Sequence, residues 1–296
     1  LTEAAAEPPS EPRWLALAAL LAGASIIGLA AILVRMSDAG PAATGFWRLM
    51  FAMPLLALMT RRAAGAIGRP PPMALWAGLF FALDLGFWHY GIRYTSVANA
   101  TVLTNLTPVV VTAFAWIFLR QTPRALFLVA VAAAVGGASL MAYAKGGGVL
   151  RNQALGDALS VATAFWYALY FLSMAEGRRT EAASRMMFWA GVAGAPLLLA
   201  AALLLGERLA PATAAGWAAV CGLGLMHVSG QGAIAWAMGR LPTSTASVVV
   251  LVQPVVAAIL GWILFAEAIG PLQGLGAAIT LGGVVLAQWA SRRRPG

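Results

Sequence analysis

The sequence predicts an all-α integral membrane protein, with ten transmembrane helices arranged as two inverted five-helix repeats. Three observations carry that prediction. First, the 296 residues are 61% hydrophobic and only 10% charged, and the mean hydropathy is +0.83. A soluble globular chain is about 25% charged. A chain this apolar has too little polar surface to face water, so the bilayer is its solvent. Second, the apolar residues fall into ten runs, each near the roughly 20 residues that a helix needs to cross the hydrocarbon. Third, residues 95–120 are echoed by residues 242–267. Shifted by 146 residues, Ala100 falls on Ala246, Val102 on Val248, Pro108-Val109-Val110 on Pro254-Val255-Val256, and Trp116-Ile117 on Trp262-Ile263.

Taken in order, residues 1–12 are polar and proline-containing and are expected to be a disordered tail. The apolar run that begins at Trp14 has the length of a span and lacks a convincing small-residue cleavage site, so it is expected to stay as a helix. The ten spans are placed at 13–35, 42–60, 72–93, 96–119, 123–143, 154–176, 184–205, 212–238, 242–265 and 270–290. Proline, glycine or charge marks most of the connections, among them Asp38 to Pro41, Arg61 to Pro72, Gln121 to Pro123, Lys145 to Gly148, Gly177 to Arg179 and Gly206 to Arg208. Connections this short make sequence neighbours antiparallel neighbours. The expected units are a first repeat at 13–143, a second at 154–290 and a basic tail at 291–296.

The basic residues set the orientation. Arg48 lies inside span 2 and is left out of the count. One side receives 13 basic residues, from Arg13, the 2–3, 4–5, 6–7 and 8–9 connections and Arg292, Arg293 and Arg294. The other side receives five: Arg35, Arg93, Lys145, Arg151 and Arg208. Both termini are therefore expected in the cytoplasm. The net charge of +9 builds no basic face, which argues against a nucleic-acid partner. The single cysteine, Cys221, allows no internal disulfide or cysteine metal cluster and reads as a small buried side chain.

The repeat extends beyond the first pair. Phe46-Trp47 followed by Pro54 in span 2 matches Phe188-Trp189 followed by Pro196 in span 7. Gly136-Gly137 and Leu140 in span 5 match Gly282-Gly283 and Leu286 in span 10. Five spans per copy is an odd number, so the second copy is upside down relative to the first. That architecture gives a transporter two related states, open to opposite sides.

These residues resemble the drug/metabolite transporter superfamily, specifically its EamA-type members with ten helices in two halves. The matching pattern is a run of small and polar residues, a central proline and an apolar tail with a polar or acidic end. Here it reads Ala98-Asn99-Ala100, Pro108, Gln121, and again Ala246, Pro254, Glu267. In general appearance the chain is most similar to bacterial amino-acid exporters of YddG type. The resemblance implies a bacterial-type inner-membrane location, a cavity lined mainly by helices 1, 3, 4, 6, 8 and 9, and export from the cytoplasm. Drug/proton antiporters of the superfamily use a glutamate in helix 1; this chain offers only Ser25 there, which puts that mechanism in doubt.

Span 4 holds the strongest candidates. Thr101, Asn105, Pro108 and Thr112 are spaced four, three and four, so they share one helical face, and Thr104 and Thr107 border it. A proline frees a backbone carbonyl, which inside a membrane must be met by protein or by cavity water. Asn105, one turn before Pro108, reads either as a contact between helices or as a substrate contact. Gln253 directly precedes Pro254, and a mid-span amide is costly in lipid, so it is expected to face a cavity. In span 6, Ser160, Thr163, Tyr167, Tyr170 and Met174 share a face flanked by Trp166. That face reads as helix packing or as an aromatic wall of a cavity.

Span 3 holds Asp84, Phe87, Trp88, His89 and Tyr90. Asp84 is the carboxylate nearest the middle of any span, and such residues are usually functional. It binds a substrate ammonium, carries a coupling proton, pairs with Arg48, or is held neutral by burial. His89 is expected at the membrane surface. His227, with Gln231 one turn on, lies deeper in span 8 and reads as a packing residue, a proton relay or a substrate contact.

The candidate substrate-binding set is therefore Asp84, Trp88, Thr104, Asn105, Thr107, Thr163, Trp166, Tyr167, Tyr170, His227, Gln231 and Gln253, with Pro108 and Pro254 as hinges. No cofactor, metal or catalytic residue is expected, since the chain has no phosphate-binding loop, metal motif or nucleophile–base pair. The expected partners are the bilayer, a small-molecule substrate and, in one reading of Asp84, a coupling proton; a homodimer and a monomer both stay open. An uncharged lining of amides, hydroxyls and aromatics suits zwitterions with apolar side chains. The expected function is export of amino acids or similar small amphipathic metabolites by alternating access. Transport of nucleosides or cationic drugs is the alternative, and an integral-membrane enzyme is a more distant one.

Overall fold

In the computed structural model, residues 12–94, 103–120, 122–144, 152–265 and 269–292 are described. Every regular element among them is a helix. These are α1 (Arg13–Ile27), α2 (Ala30–Met36), α3 (Pro41–Ala64), α4 (Pro72–Tyr94), α5 (Thr107–Leu119), α6 (Ala125–Ala144), α7 (Gln153–Gly177), α8 (Ala183–Leu204), α9 (Ala214–Met226), α10 (Gly232–Met238), α11 (Thr243–Val249), α12 (Val252–Phe265) and α13 (Pro271–Arg292). A π-helical segment, His227–Gln231, joins α9 to α10. Together they build ten spans. Spans 1, 4 and 9 are interrupted, as α1 with α2, the described part of span 4 with α5, and α11 with α12, while span 8 runs on through its π-helical segment from α9 to α10. Among the described residues, seven helical segments are long and apolar enough to cross a membrane, spans 4 and 5 are represented by shorter apolar helices, and span 3 is the 23-residue α4. Thr101, the 98–100 motif, Gln121, the Lys145–Gly148 connection, Glu267 and most of both tails lie outside the described residues.

The breaks follow from the local sequence. Pro108 stands in the first turn of α5, and Pro254 stands near the start of α12 after a turn at residues 250–251. A proline's missing N–H costs least in the first turn of a helix, where that donor has no intrahelical partner. The two prolines therefore begin new helical segments rather than kinking continuous ones. In span 1 the interruption is at Gly28, whose backbone lies against Gln253 and Val256 of span 9. Two spans thus break where they touch.

The packing carries the repeat. Span 5 packs along span 10, span 2 against span 7, and span 4 against span 9. Span 3 packs on span 6, and span 1 on span 8. Exchanging each span for its counterpart five places on maps this set of pairs onto itself, as an internal two-fold relation requires. The matched residues also face the same way. Trp116 and Ile117 are 55% and 67% exposed, and Trp262 and Ile263 are 55% and 64% exposed. Apolar surface of this kind suits contact with lipid. Of the two glycine pairs, Gly137 and Gly283 lie in the seam between α6 and α13, while Gly136 and Gly282 face open space.

At the end opposite the termini, side chains of one half hold backbone of the other. Glu207 accepts from the amides of Ala42 and Ala43 at 3.2 and 3.0 Å, at the start of α3, and Tyr90 donates to the same carboxylate. A negative charge is favourable at a helix N-terminus. Asp38 accepts from Ala212 and Thr213 just before α9, and the Trp47 indole donates to the Leu209 carbonyl at 2.8 Å. His89 belongs to this cluster. Its expected exposure at the membrane surface is corrected here: it is buried, and its Nδ1 lies 2.9 Å from the Pro41 carbonyl, because the chain between spans 1 and 2 folds over the end of α4.

At the end bearing the termini, α11 is buried from Thr245 to Val249 and packs against α5. Hydroxyls on these spans are met locally, with Thr112 donating to the Pro108 carbonyl at 2.7 Å and Ser247 to that of Ser244 at 2.8 Å. Such a bond satisfies the hydroxyl inside its own helix and lets it sit away from water.

Candidate functional site

The interruptions of spans 1, 4 and 9 and the π segment of span 8 meet around one cavity of about 200 Å³. Span 1 contributes Ile27, Gly28 and Ala30; span 3 contributes Phe81, Asp84, Leu85 and Trp88. Span 4 contributes Thr104 and Asn105, span 6 Thr163 and Tyr167, span 8 Gln231, and span 9 Gln253, Pro254 and Ala257. Those are the six helices that the family resemblance implies. Span 2 adds a seventh contribution, Arg48.

Two amides in the lining have donors without acceptors. The side-chain nitrogens of Asn105 and Gln253 are buried and find no hydrogen-bond partner among the described residues. Asn105 therefore does not bond the backbone freed beside Pro108. A buried donor left unmet costs about 1–3 kcal/mol, so both groups are poised for something that enters the cavity. Gln231 is held differently: its amide donates to the Tyr170 hydroxyl at 3.0 Å. The rings of Tyr167 and Tyr170 stack in parallel, 5.8 Å apart and 6° from coplanar. Thr163 donates to the Leu159 carbonyl at 3.0 Å and presents the rest of its side chain to the cavity.

Four residues of the sequence-derived set stand outside the lining. Tyr170 is a buried second layer, against Phe81 at 4.8 Å between ring centroids. His227 is buried behind the same ring, 5.3 Å from it, at the start of the π segment. Trp166 turns toward α4, where it stacks on Phe80 and meets Phe87 edge-on. Thr107 donates to the Thr104 carbonyl at 2.8 Å and closes the turn before α5. Pro108 is buried beneath the cavity, whereas Pro254 lines it.

Arg48 was absent from the sequence-derived set and entered only as a possible partner of Asp84. It is 4% exposed, its guanidinium carbon lies 5.4 Å from the Phe81 ring centroid, and its Nε has no hydrogen-bond partner among the described residues. Its signal was present, because a lone arginine inside an apolar span is expensive and marks function by default. Phe81, Leu85, Ile27 and Ala257 carry no such signal; an apolar residue that lines a cavity looks the same in sequence as one that fills a core.

The arrangement offers positive and negative side chains, two free amide donors and aromatic rings in one small space between broken helices. The comparisons agree with a transport role. The model of the EamA-like transporter family matches residues 13–143 and again 154–289. An uncharacterized transporter of Archaeoglobus fulgidus is 24% identical over 273 residues, covering 91% of this chain and 95% of that protein. The pseudopaline exporter CntI of Pseudomonas aeruginosa is 24% identical over 269 residues, covering 85% and 87%. A crystal structure of another protein superposes with a TM-score of 0.79 at 18% identity, covering 95% of this chain and 99% of that one, which shows a shared fold. With both halves filled by one family's match and the helices packed as an internal repeat, the conclusion is direct: this chain belongs to the EamA-like transporter family and is a multi-pass membrane transporter.

Proposed function

We propose that this transporter exports amino acids or similar small amphipathic metabolites, by alternating access through the cavity between its broken spans. The observation that carries the proposal is the pair of unmet amide donors, Asn105 on span 4 and Gln253 on span 9, which face one cavity from corresponding helices of the two halves. Trp88, Tyr167 and Phe81 supply apolar and aromatic surface around them. A cavity of about 200 Å³ is smaller than the roughly 300–1,000 Å³ of pockets for drug-sized ligands, which favours amino-acid-sized solutes over nucleosides or drugs. Asp84 is the carboxylate of the lining and the proposed site for a substrate ammonium or a coupling proton.

The distribution of basic residues supports a topology with both termini in the cytoplasm. The relative named as a pseudopaline exporter favours export. The enzyme reading has less support. His89 is tied to the Pro41 carbonyl and His227 stands behind Phe81, so neither meets Asp84 in the lining. Counterflow of radiolabelled amino acids in proteoliposomes tests the proposal. Exchange of aliphatic or aromatic amino acids is expected, and folded protein that exchanges none of them rules it out.

A further inference from the structure

Arg48 is buried, and among the described residues no carboxylate closes an ion pair with it. It belongs to α3, where Trp47 and Leu49 flank it. Taking a guanidinium out of water is unfavourable unless a carboxylate and further hydrogen bonds receive it. Among the described residues no carboxylate lies within the 4.0 Å of an ion pair, and no acceptor meets its Nε. Asp84 lines the same cavity, but the two do not close into a pair. Asp84 likewise has no hydrogen bond among the described residues.

The fold does not need an arginine here. The Phe46-Trp47-Arg48 of span 2 corresponds to Phe188-Trp189-Ala190 in span 7, where the scaffold packs a buried alanine. The charge therefore belongs to the cavity and to one half only. Its planar fork matches a carboxylate with two parallel hydrogen bonds. The free amide donor of Asn105 adds to the same polarity. A neutral solute meets neither charge, and a solute with one charge leaves the other buried and unpaired.

We propose that Arg48 is the carboxylate-binding residue of the cavity and that Asp84 receives an ammonium group beside it, so that the transported solute is a zwitterion bearing a free carboxylate. The inference rests on the reading of the cavity as the transport site. It makes Arg48 a specificity-determining residue.

The test is counterflow of radiolabelled phenylalanine and leucine by the full chain in proteoliposomes. The competitors are each amino acid's decarboxylated analogue (phenethylamine, 3-methylbutylamine) and its deaminated analogue (3-phenylpropanoate, 4-methylpentanoate). In the wild type the single-charge analogues should be needed at about 10- to 100-fold higher concentration than the amino acid, the range a charged hydrogen-bonded contact commands. Arg48→Gln should raise KM for the amino acid by about the same factor and leave competition by the amine unchanged. Arg48→Lys keeps the charge without the fork and should fall between the two. Equal competition by the amine and the amino acid in the wild type overturns the inference, whether or not either variant folds. An Arg48→Gln protein with wild-type KM overturns it too, and leaves amino-acid transport standing. A wild type that exchanges neither amino acid overturns both.

Discussion

Asp38 shows how much one side chain outside the spanning helices can join. Its carboxylate reaches from the connection after span 1 to two amides at the start of span 8. Desolvation raises its pKa, but hydrogen bonds from Thr213 and the Ala212 amide together outweigh that and hold it below the ordinary carboxylate value. A lowered folded-state pKa contributes stability that is fully present above the unfolded value of about 3.9 and is lost as pH falls through the folded one. Asp38→Asn should therefore melt below wild type at neutral pH, with the gap closing on acidification below about pH 4. Thermal unfolding of the two proteins in detergent across pH reads this, and a gap that does not change with pH removes Asp38 from the linkage. Inside the membrane the residue scale was legible where polarity was costly. Asp84, Asn105, Gln231 and Gln253 were readable because lipid offers such groups no partners. Which face of a long aromatic side chain meets a cavity was not readable: Tyr167 lines it while Trp166, one residue earlier, packs against α4.

The two glycine pairs divide their work at the scale of the helix. A Cβ on Gly137 would stand 2.5 Å from the Thr280 amide nitrogen and 2.6 Å from the Gly276 carbonyl. A Cβ on Gly283 would meet the Ala134 backbone at 2.5 Å. Backbone cannot yield as a side chain can, so Gly137→Ala or Gly283→Ala should force α6 and α13 apart and lower the melting temperature. Gly136→Ala and Gly282→Ala meet nothing within 4 Å. They should be neutral or stabilising, by up to about 1 kcal/mol from helix propensity alone. Melting of the four variants side by side decides it; if all four behave alike, close approach is not the reason for the seam. The repeat identified both pairs, but not which member faces the neighbour. That depends on the rotation of each helix about its axis, and packing settles it.

At the scale of the whole molecule, α5 and α11 meet beneath the cavity, on the side of the termini. Thr112 and Thr245 line one crevice between them. In the proposed cycle these two half-helices must part to admit solute from that side. Cysteines at Thr112 and Thr245, with Cys221 replaced, should be joined by a short bifunctional thiol reagent and stop amino-acid counterflow. Cleaving the linker should restore it. Full exchange by linked protein would place the moving parts elsewhere.

The sequence by itself determined the solvent, the number of spans, the two-fold repetition and the helix type, because each depends on local composition and spacing. A run of about 20 apolar residues must be a helix in lipid, since no other single segment satisfies its own backbone. It also placed the interruptions near Pro108 and Pro254, where a missing N–H has its own local effect. Tertiary structure alone decided that the interruptions of spans 1, 4 and 9 and the π segment of span 8 surround one cavity. It brought Arg48 to the same cavity as Asp84, 36 positions away in the numbering. It also left that arginine with no ion-pair partner among the described residues, a fact that depends on every neighbour at once and that no spacing along the chain can encode.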